Sequence, residues 1–186
     1  LLVSSAASDV YKRQRHGVIP DIISLGKPMG NGYPVAGIAL RPELASRFGY
    51  DMRYFNTFGG NTVAMAAANA TLEVVQSENL MANANQVGAI MLSGLRDLMR
   101  EDERIGDVRG TGLYLGVEMV KDRETREPNG PLALALVNEM RRRRVLISAT
   151  SYNANVLKVR PPLIFTAANA DQFLTELKAA LKTVRT

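Results

Sequence analysis

A lysine between an apolar run and a glycine-rich turn is the first residue of this sequence that could do chemistry. It is Lys27, within the stretch ISLGKPMGNGYP at residues 23–34. A lysine amine is a nucleophile only in its neutral form, which burial or a neighbouring cation favours. Gly30 and Gly32 would let the backbone approach a bulky ligand. By itself the stretch fits either a nucleophilic lysine at a strand end or an ordinary surface lysine.

A second stretch, YFNTFGGN at residues 54–61, has the composition of a phosphate-binding turn. It places the hydroxyl of Thr57 and two glycines before Asn61, where an alanine-rich run predicts the start of a helix. The N-terminus of a helix offers backbone N–H groups that bind phosphate. The alternative is a plain glycine turn followed by an N-cap asparagine.

The elements that would position both stretches alternate between strands and helices. PDIISLGK at residues 20–27 predicts a buried strand with the lysine at its exit, and VAGIAL at residues 35–40 predicts a second strand. RPELASRF at residues 41–48 predicts one or two helical turns with proline near the first helical position. Residues 61–78 predict a helix packed closely on its neighbours, because alanine and other small residues dominate it.

The second half of the chain shows the periodicities of a compact α+β domain. A long helix over residues 78–101 is predicted to bury one stripe, and a strand after Gly112 is predicted to bury one face. Two strands at residues 145–149 and 155–160 and a last helix over residues 170–184 complete it. The predicted buried positions are Leu80, Ala84, Val87, Met91, Leu95, Leu98, Leu113, Leu115, Val117, Phe173, Leu177, Leu181 and Val184.

The composition excludes several classes of function. The chain has no cysteine and one histidine, His16, so thiolate and imidazole metal clusters are excluded. No stretch approaches the roughly 18 apolar residues of a membrane helix, and no export signal opens the chain, so we expect a cytoplasmic protein without a membrane partner. The net charge is +5, and the basic run at residues 141–144 is expected to be a solvated helix end instead of a nucleic-acid contact.

The first fourteen residues, LLVSSAASDVYKRQ, show no apolar periodicity that continues into the strand and turn signals of residues 20–34. They resemble an adaptor-derived peptide of the kind found at the ends of assembled reading frames. We therefore expect residues 1–14 to be non-native, so that the natural sequence begins in mid-protein at Arg15. The alternative is a natural disordered segment.

Four stretches, taken in order, resemble the class III aminotransferases, which are pyridoxal-phosphate enzymes of fold type I. The resemblance covers residues 15–186 and implies an α/β protein. Residues 15–85 would be the end of the large cofactor-binding domain, and residues 86–186 the small C-terminal α+β domain, with the boundary near Gln86. The matching stretches are PDIISLGKPMGNGYPVAGIAL, YFNTFGGN with the alanine-rich run, VRGTGLYLGVEMV with DRETREP, and NVLKVRPPLIFT.

The resemblance assigns roles to two residues. Lys27 matches the family lysine that forms a Schiff base with pyridoxal 5'-phosphate and moves the proton of the substrate. Thr57 matches the threonine that reaches the cofactor phosphate of the neighbouring subunit, which implies a homodimer with a shared active site. The implied partners are a small-molecule amino donor, either an amine or an amino acid, and an oxo-acid acceptor.

The resemblance leaves open which residues bind the substrate and which reaction is catalysed. Many family members carry an arginine for the substrate carboxylate at the position of Lys158, and Arg160 directly precedes Pro161 here. Residues 158 and 160 of a strand point to one face, so both cations are candidate substrate contacts. A lysine lacks the bidentate fork of arginine. The form LKVRPP also resembles phospho-lyases of the same family, which eliminate phosphate, and the sequence leaves both reactions open.

One further expectation concerns activity. In this fold type the residues that stack on the cofactor ring, and the aspartate that pairs with its ring nitrogen, precede the lysine. That part is absent from the sequence, so we expect the 186-residue chain alone to be inactive although its parent is an enzyme. From a different class, a non-catalytic binding module or a natural truncated protein is the alternative.

Overall fold

The computed structural model describes residues 17–185, apart from the side chain of Lys27. The expectation that residues 1–14 are non-native lies outside the described residues. The chain divides into two compact units between Leu80 and Met81. The division into domains of residues 15–85 and 86–186 stays a prediction.

Within residues 17–80, the first unit contains a two-stranded antiparallel sheet, a short 3-10 helix and two α-helices. Strand β1 pairs with β2 along its whole length, from Ile22 opposite Leu40 to Leu25 opposite Gly37. Its elements are β1 (Ile22–Leu25), the 3-10 helix (Lys27–Gly30), β2 (Gly37–Leu40), α1 (Pro42–Asp51) and α2 (Thr62–Ser77).

The helix starts of this unit follow the sequence signals. Helix α1 begins at Pro42, whose missing N–H costs nothing in the first turn. Helix α2 is capped by the side chain of Asn61, which accepts a hydrogen bond of 2.9 Å from the backbone N–H of Ala64. The predicted N-cap asparagine is therefore confirmed.

The burial predicted for the first unit is wrong. The sequence predicts that strand β1 is buried, but Ile22 is 58% exposed and alternate residues of the strand face solvent. Helix α2 packs against the 3-10 helix, yet Ala64 is its one buried residue. The reason is that, within residues 17–80, β1 has β2 as its only strand partner, and no second layer covers the sheet.

The second unit is an antiparallel sheet covered by three helices. The strand order is β3-β4-β7-β6, and β5 pairs with β4 at its end. Its elements are α3 (Leu80–Glu101), β3 (Ile105–Thr111), β4 (Tyr114–Asp122), β5 (Glu127–Pro128), α4 (Gly130–Arg142), β6 (Ser148–Thr150), β7 (Val156–Val159) and α5 (Ala167–Thr183).

The core of the second unit agrees with the predicted pattern. All six positions of the α3 stripe and all three of the β4 segment are buried, as are Phe173, Leu177 and Leu181 of α5. Val184 instead lies half-buried after the end of α5. The helix begins at Ala167, earlier than predicted, because Thr166 and Asn169 form a reciprocal capping box.

The basic run at the end of α4 is only partly solvated. Arg141 and Arg142 are exposed, as predicted. Arg143 is half-buried and contacts Glu139 on its own helix at 3.0 Å and Glu176 on α5 at 3.2 Å. This arginine therefore ties the two helices together.

Candidate active site

Lys27 is the first residue of the 3-10 helix that directly follows β1. Gly26 is extended, and its carbonyl accepts a hydrogen bond of 3.2 Å from the N–H of Met29. The N–H of Asn31 donates to the carbonyl of Pro28 at 3.1 Å. Lys27 is thus placed at the exit of β1, as predicted, by a backbone turn that its neighbours fix.

The glycines of this turn serve the turn itself. Gly30 is buried, and a Cβ there would lie 2.7 Å from Cγ1 of Val35, so it is needed for internal packing. Gly32 has φ of +108°, a region that side chains rarely adopt, and Asn31 is left-handed with φ of 46°. The close approach at Gly30 is therefore made by Val35, and the contact of this backbone with a ligand stays a prediction.

The turn that carries Thr57 is held by two asparagine side chains. Oδ1 of Asn56 accepts hydrogen bonds from the N–H groups of Phe58 at 3.2 Å and Gly59 at 3.1 Å. Nδ2 of Asn61 donates to the carbonyl of Phe58 at 2.8 Å. The N–H groups of Phe58 and Gly59 are consequently engaged within the turn. The role of Asn56 is not signalled by the sequence pattern.

The hydroxyl of Thr57 is a polar group that this turn leaves available. Its side chain is exposed and makes no hydrogen bond with any residue of the described range 17–185. Helix α2, which follows the turn, packs against the 3-10 helix that begins at Lys27. A lysine at a strand exit and an unengaged threonine hydroxyl fit a cofactor that carries an aldehyde and a phosphate.

Lys158 and Arg160 lie in the second unit. Lys158 is half-buried in β7, opposite Gly116 of β4 and Ser148 of β6. Leu157 and Val159 are buried on the other face of the strand, so the alternation puts Lys158 and Arg160 on the same face, as predicted.

Arg160 follows the end of β7, with its guanidinium carbon 5.9 Å from the ring centroid of Tyr114. This is within the range of a cation–π contact. Arg160 also lines an open cavity of about 280 Å³. Met91, Val159 and Phe173 form part of the apolar lining of this cavity. The arginine therefore stands at the border between the sheet and that cavity.

The face of the sheet that bears these cations is called the charged face; its charged members are Asp107, Arg109, Glu118, Lys158 and Arg160. One terminal nitrogen of Arg109 contacts Asp107 at 2.5 Å and Glu118 at 2.6 Å. The hydrogen bonds that Arg109 donates to Asp107 and Glu118 raise the pKa of Arg109 above its ordinary value. Lys158 and Arg160 form no ion pair with any residue of 17–185.

No group of histidine, aspartate and glutamate side chains within residues 17–185 could hold a metal ion. No helix in the same range is long and apolar enough to cross a membrane.

Residues 5–181 match the family model of the class III aminotransferases, described as "Aminotransferase class-III". The chain therefore belongs to the class III aminotransferase family. The predicted family and the predicted fold, the end of a fold type I α/β domain followed by a small α+β domain, are confirmed. The expected cofactor, pyridoxal 5'-phosphate, is the one that this family implies.

Two curated relatives show how the family divides. The chain is 45% identical over 166 residues to an ethanolamine-phosphate phospho-lyase homolog of Caenorhabditis elegans, covering 89% of this chain and 36% of the relative. It is 43% identical over 179 residues to an alanine–glyoxylate aminotransferase 2-like protein of Drosophila melanogaster, covering 95% of this chain and 36% of the relative. The chain thus spans about a third of the length of the curated relatives it matches.

Solved structures give the same division. A phospholyase from Arthrobacter in complex with phosphoethanolamine superposes with a TM-score of 0.93 at 36% identity, over 98% of this chain and 44% of that one. An amine transaminase from an uncultivated Pseudomonas species, solved in its PLP-bound form, has a TM-score of 0.81 at 32% identity, over 91% of this chain and 40% of that one. The relatives include both transaminases and phospho-lyases.

Proposed function

We propose that this chain is the lysine-bearing part of a pyridoxal-phosphate-dependent aminotransferase that moves an amino group between an amine or amino acid and an oxo-acid. The observation that supports this most directly is the position of Lys27, directly after β1, in a chain of the class III aminotransferase family. The exposed, unengaged hydroxyl of Thr57 adds to it.

Lys27 would hold the cofactor covalently through its Nζ atom. When bound, pyridoxal 5'-phosphate supplies an electron sink that stabilises negative charge at the substrate Cα. Once the substrate amine has displaced Nζ of Lys27 from the cofactor, the freed neutral amine would accept the proton from that carbon and could return it, so one residue would serve first as anchor and then as general base.

Thr57 would donate a hydrogen bond to the cofactor phosphate. The N–H groups of Phe58 and Gly59 already donate to Asn56, whereas the hydroxyl of Thr57 is exposed and can donate to a phosphate. We further propose that it reaches the cofactor of a second subunit, so that the active protein is a homodimer with a shared site. The proposed compartment is the cytoplasm, which localisation of a tagged full-length protein would test.

Lys158 and Arg160 would contact the anionic group of the substrate. Both lie on the charged face without a carboxylate partner among residues 17–185, so neither is neutralised before the substrate arrives. Arginine can offer two parallel hydrogen bonds to an oxyanion, whereas lysine acts as a point charge.

A phospho-lyase of the same family is the second candidate function. The observation that favours it is the pair of cations in the segment LKVRPP, together with the Arthrobacter phospholyase that superposes with a TM-score of 0.93. Two cations suit a phosphate dianion as well as a carboxylate. Both functions require the same lysine.

The test uses a full-length protein of this family that contains the present chain. Lys27→Ala should abolish the visible absorbance of bound cofactor and all turnover, while Lys121→Ala, which removes an exposed lysine of the second unit, should leave both unchanged. A Lys27→Ala protein that keeps the absorbance and turnover would contradict the proposal. If the protein releases phosphate from a phosphorylated amino alcohol in the absence of any oxo-acid, its function is that of a phospho-lyase and the proposed aminotransferase function is wrong.

A further inference from the structure

The three cations of the charged face differ in their ion pairing. Arg109 contacts Asp107 and Glu118, whereas Lys158 and Arg160 have no ion-pair partner among residues 17–185. We propose that Arg109 is a positioning residue for the substrate anion: by holding Glu118, it keeps Lys158 unpaired and able to bind an oxyanion. This inference rests on the proposed function, in which Lys158 and Arg160 contact the substrate.

The strand register places the competing cations on both sides of one carboxylate. Arg109 of β3 is opposite Gly116 of β4, which is opposite Lys158 of β7, so these three form one row across the sheet. Glu118 belongs to the next row, opposite Asp107 on one side and Val156 on the other. Glu118 is therefore a diagonal neighbour of both cations. Diagonal neighbours on one face lie about 7–8 Å apart, within reach of long side chains.

The side chain of Arg109 lies beside Gly116 of β4. A Cβ on Gly116 would lie 3.2 Å from Cγ1 of Val156 and 3.9 Å from Cγ of Arg109. The stem of Arg109 thus lies at contact distance from β4, and one terminal nitrogen comes within 2.6 Å of Glu118. A guanidinium has five N–H donors, so Arg109 can hold Asp107 at the same time.

Without Arg109, the carboxylate of Glu118 would be free to contact Lys158. Lys158 would then form a partly exposed ion pair with Glu118, and an incoming anion would have to displace that carboxylate. For an ion pair of this kind the expected weakening of anion binding is about 2- to 5-fold. The anion is an oxyanion of the substrate, a carboxylate or a phosphate, since both are bound by paired cations.

The experiment is a titration of the 186-residue chain with inorganic phosphate and, separately, with acetate, followed by the NMR signals of the Lys158 and Arg160 side chains. Arg109→Ala should weaken binding of the better anion about 2- to 5-fold. The double variant Arg109→Ala/Glu118→Gln should return it to the wild-type value. Which anion binds more tightly identifies the substrate group as a phosphate or a carboxylate.

The matched control is Arg109→Ala/Asp107→Asn. It carries the same net charge as the wild type and as the first double variant, but it leaves Glu118 ionised beside Lys158. Binding should therefore remain weak. Equal recovery in both double variants would show that net charge alone matters and would overturn the proposal, as would unchanged binding in Arg109→Ala or no binding of either anion by the wild type.

A measurement without any Arg109 variant keeps the test valid if those variants fail to fold. Glu118→Gln alone should leave anion binding within about 2-fold of the wild type, because Arg109 already holds Glu118 away from Lys158. A gain of 5-fold or more would mean that Glu118 competes with the anion in spite of Arg109, and would overturn the proposal. No cofactor or turnover enters these titrations, so their failure is distinct from failure of the role proposed for Lys27.

Discussion

Gly88 of α3 and Gly112 of the β3–β4 turn are in direct backbone contact. A Cβ built on Gly88 would lie 2.2 Å from the carbonyl oxygen of Gly112, closer than any side chain tolerates. Gly112 itself is left-handed, with φ of 50°, as a tight turn between paired strands requires. Helix α3 therefore packs directly against the turn of the β3–β4 hairpin. Tyr114, the first residue of β4 after this turn, contacts the guanidinium of Arg160.

Gly88→Ala should accordingly destabilise the second unit. Overpacking against backbone, which cannot rotate away, is expected to cost about 1–3 kcal/mol in the free energy of unfolding. Urea unfolding followed by far-ultraviolet circular dichroism would measure it. Gly94→Ala in the same helix is the matched control, because its Cβ would meet the tip of the Leu174 side chain at 2.4 Å, and a side chain can move. An equal or greater loss in Gly94→Ala would contradict this account.

The core of the second unit gives a prediction from two leucines of one helix. Leu136 of α4 is 0% exposed, whereas Leu134 is 58% exposed. Leu136→Ala should lower the free energy of unfolding by about 2–5 kcal/mol, because a cavity replaces buried methyl groups. Leu134→Ala should change it by about 0.5 kcal/mol or less. Similar losses in the two variants, measured by urea unfolding, would mean that α4 is not oriented as described.

The helical core could be predicted from sequence because its signal is local. The spacing of Leu80, Met91 and Leu98 at three- and four-residue steps follows from the geometry of a single helix, and it identified the buried stripe of α3. The N-cap of α2 at Asn61 is equally local. The burial of β1 could not be predicted in this way, because it depends on neighbouring strands and covering helices, which a local sequence pattern does not reveal.

The contacts of the charged face depend on strand register, and sequence does not give register. Alternation correctly put Lys158 and Arg160 on one face. It could not show that Glu118 is diagonal to both Arg109 and Lys158, because that depends on where the turn at Gly112 sets the pairing. The same limit applies to Asn56, whose hydrogen bonds occupy the N–H groups beside Thr57.

An acid-sensitive contact lies where α3 and α5 end. Burial raises the pKa of Asp102, but side-chain and backbone hydrogen bonds from Arg104 and the charges of Arg104 and Arg123 outweigh it, so the pKa lies below the ordinary value. Arg104 also donates to the carbonyls of Leu181 at 2.6 Å and Val184 at 2.7 Å, which caps α5.

Asp102→Asn should therefore destabilise the second unit in a pH-dependent way. At pH 7 the loss is expected to be about 1–3 kcal/mol, because a charge-assisted hydrogen bond is removed. Since the folded pKa is depressed, this contribution is complete above the unfolded pKa of about 4 and disappears as pH falls through the folded value. Urea unfolding at several pH values would show the gap between wild type and variant closing below about pH 4.

The control for that measurement is Asp97→Asn. Asp97 pairs with Arg100 on the exposed side of α3, so its removal should change the free energy of unfolding by at most about 1 kcal/mol. A gap for Asp102→Asn that stays constant down to pH 3, or one no larger than that of Asp97→Asn, would contradict the role given to Asp102.

The two units should differ in their protection from solvent. Among residues 17–80, Phe55 and Phe58 are mostly exposed and few side chains are buried, whereas α3, α5 and the sheet of the second unit enclose a continuous apolar core. Local opening requires little free energy where few apolar contacts are made. Hydrogen exchange should therefore be fast for β1, β2 and α2, and slow for β4, β7 and α5.

The same contrast predicts that the second unit folds alone. A chain of residues 78–186, which keeps the buried Leu80 at the start of α3, should give a dispersed NMR spectrum and a cooperative urea transition, because its core lies within that range. The complementary chain of residues 15–77 should give neither, since its strands pair with each other alone among the described residues and its apolar side chains face water. A collapsed, non-cooperative 78–186 chain would show instead that its sheet and helices depend on the residues before Glu78.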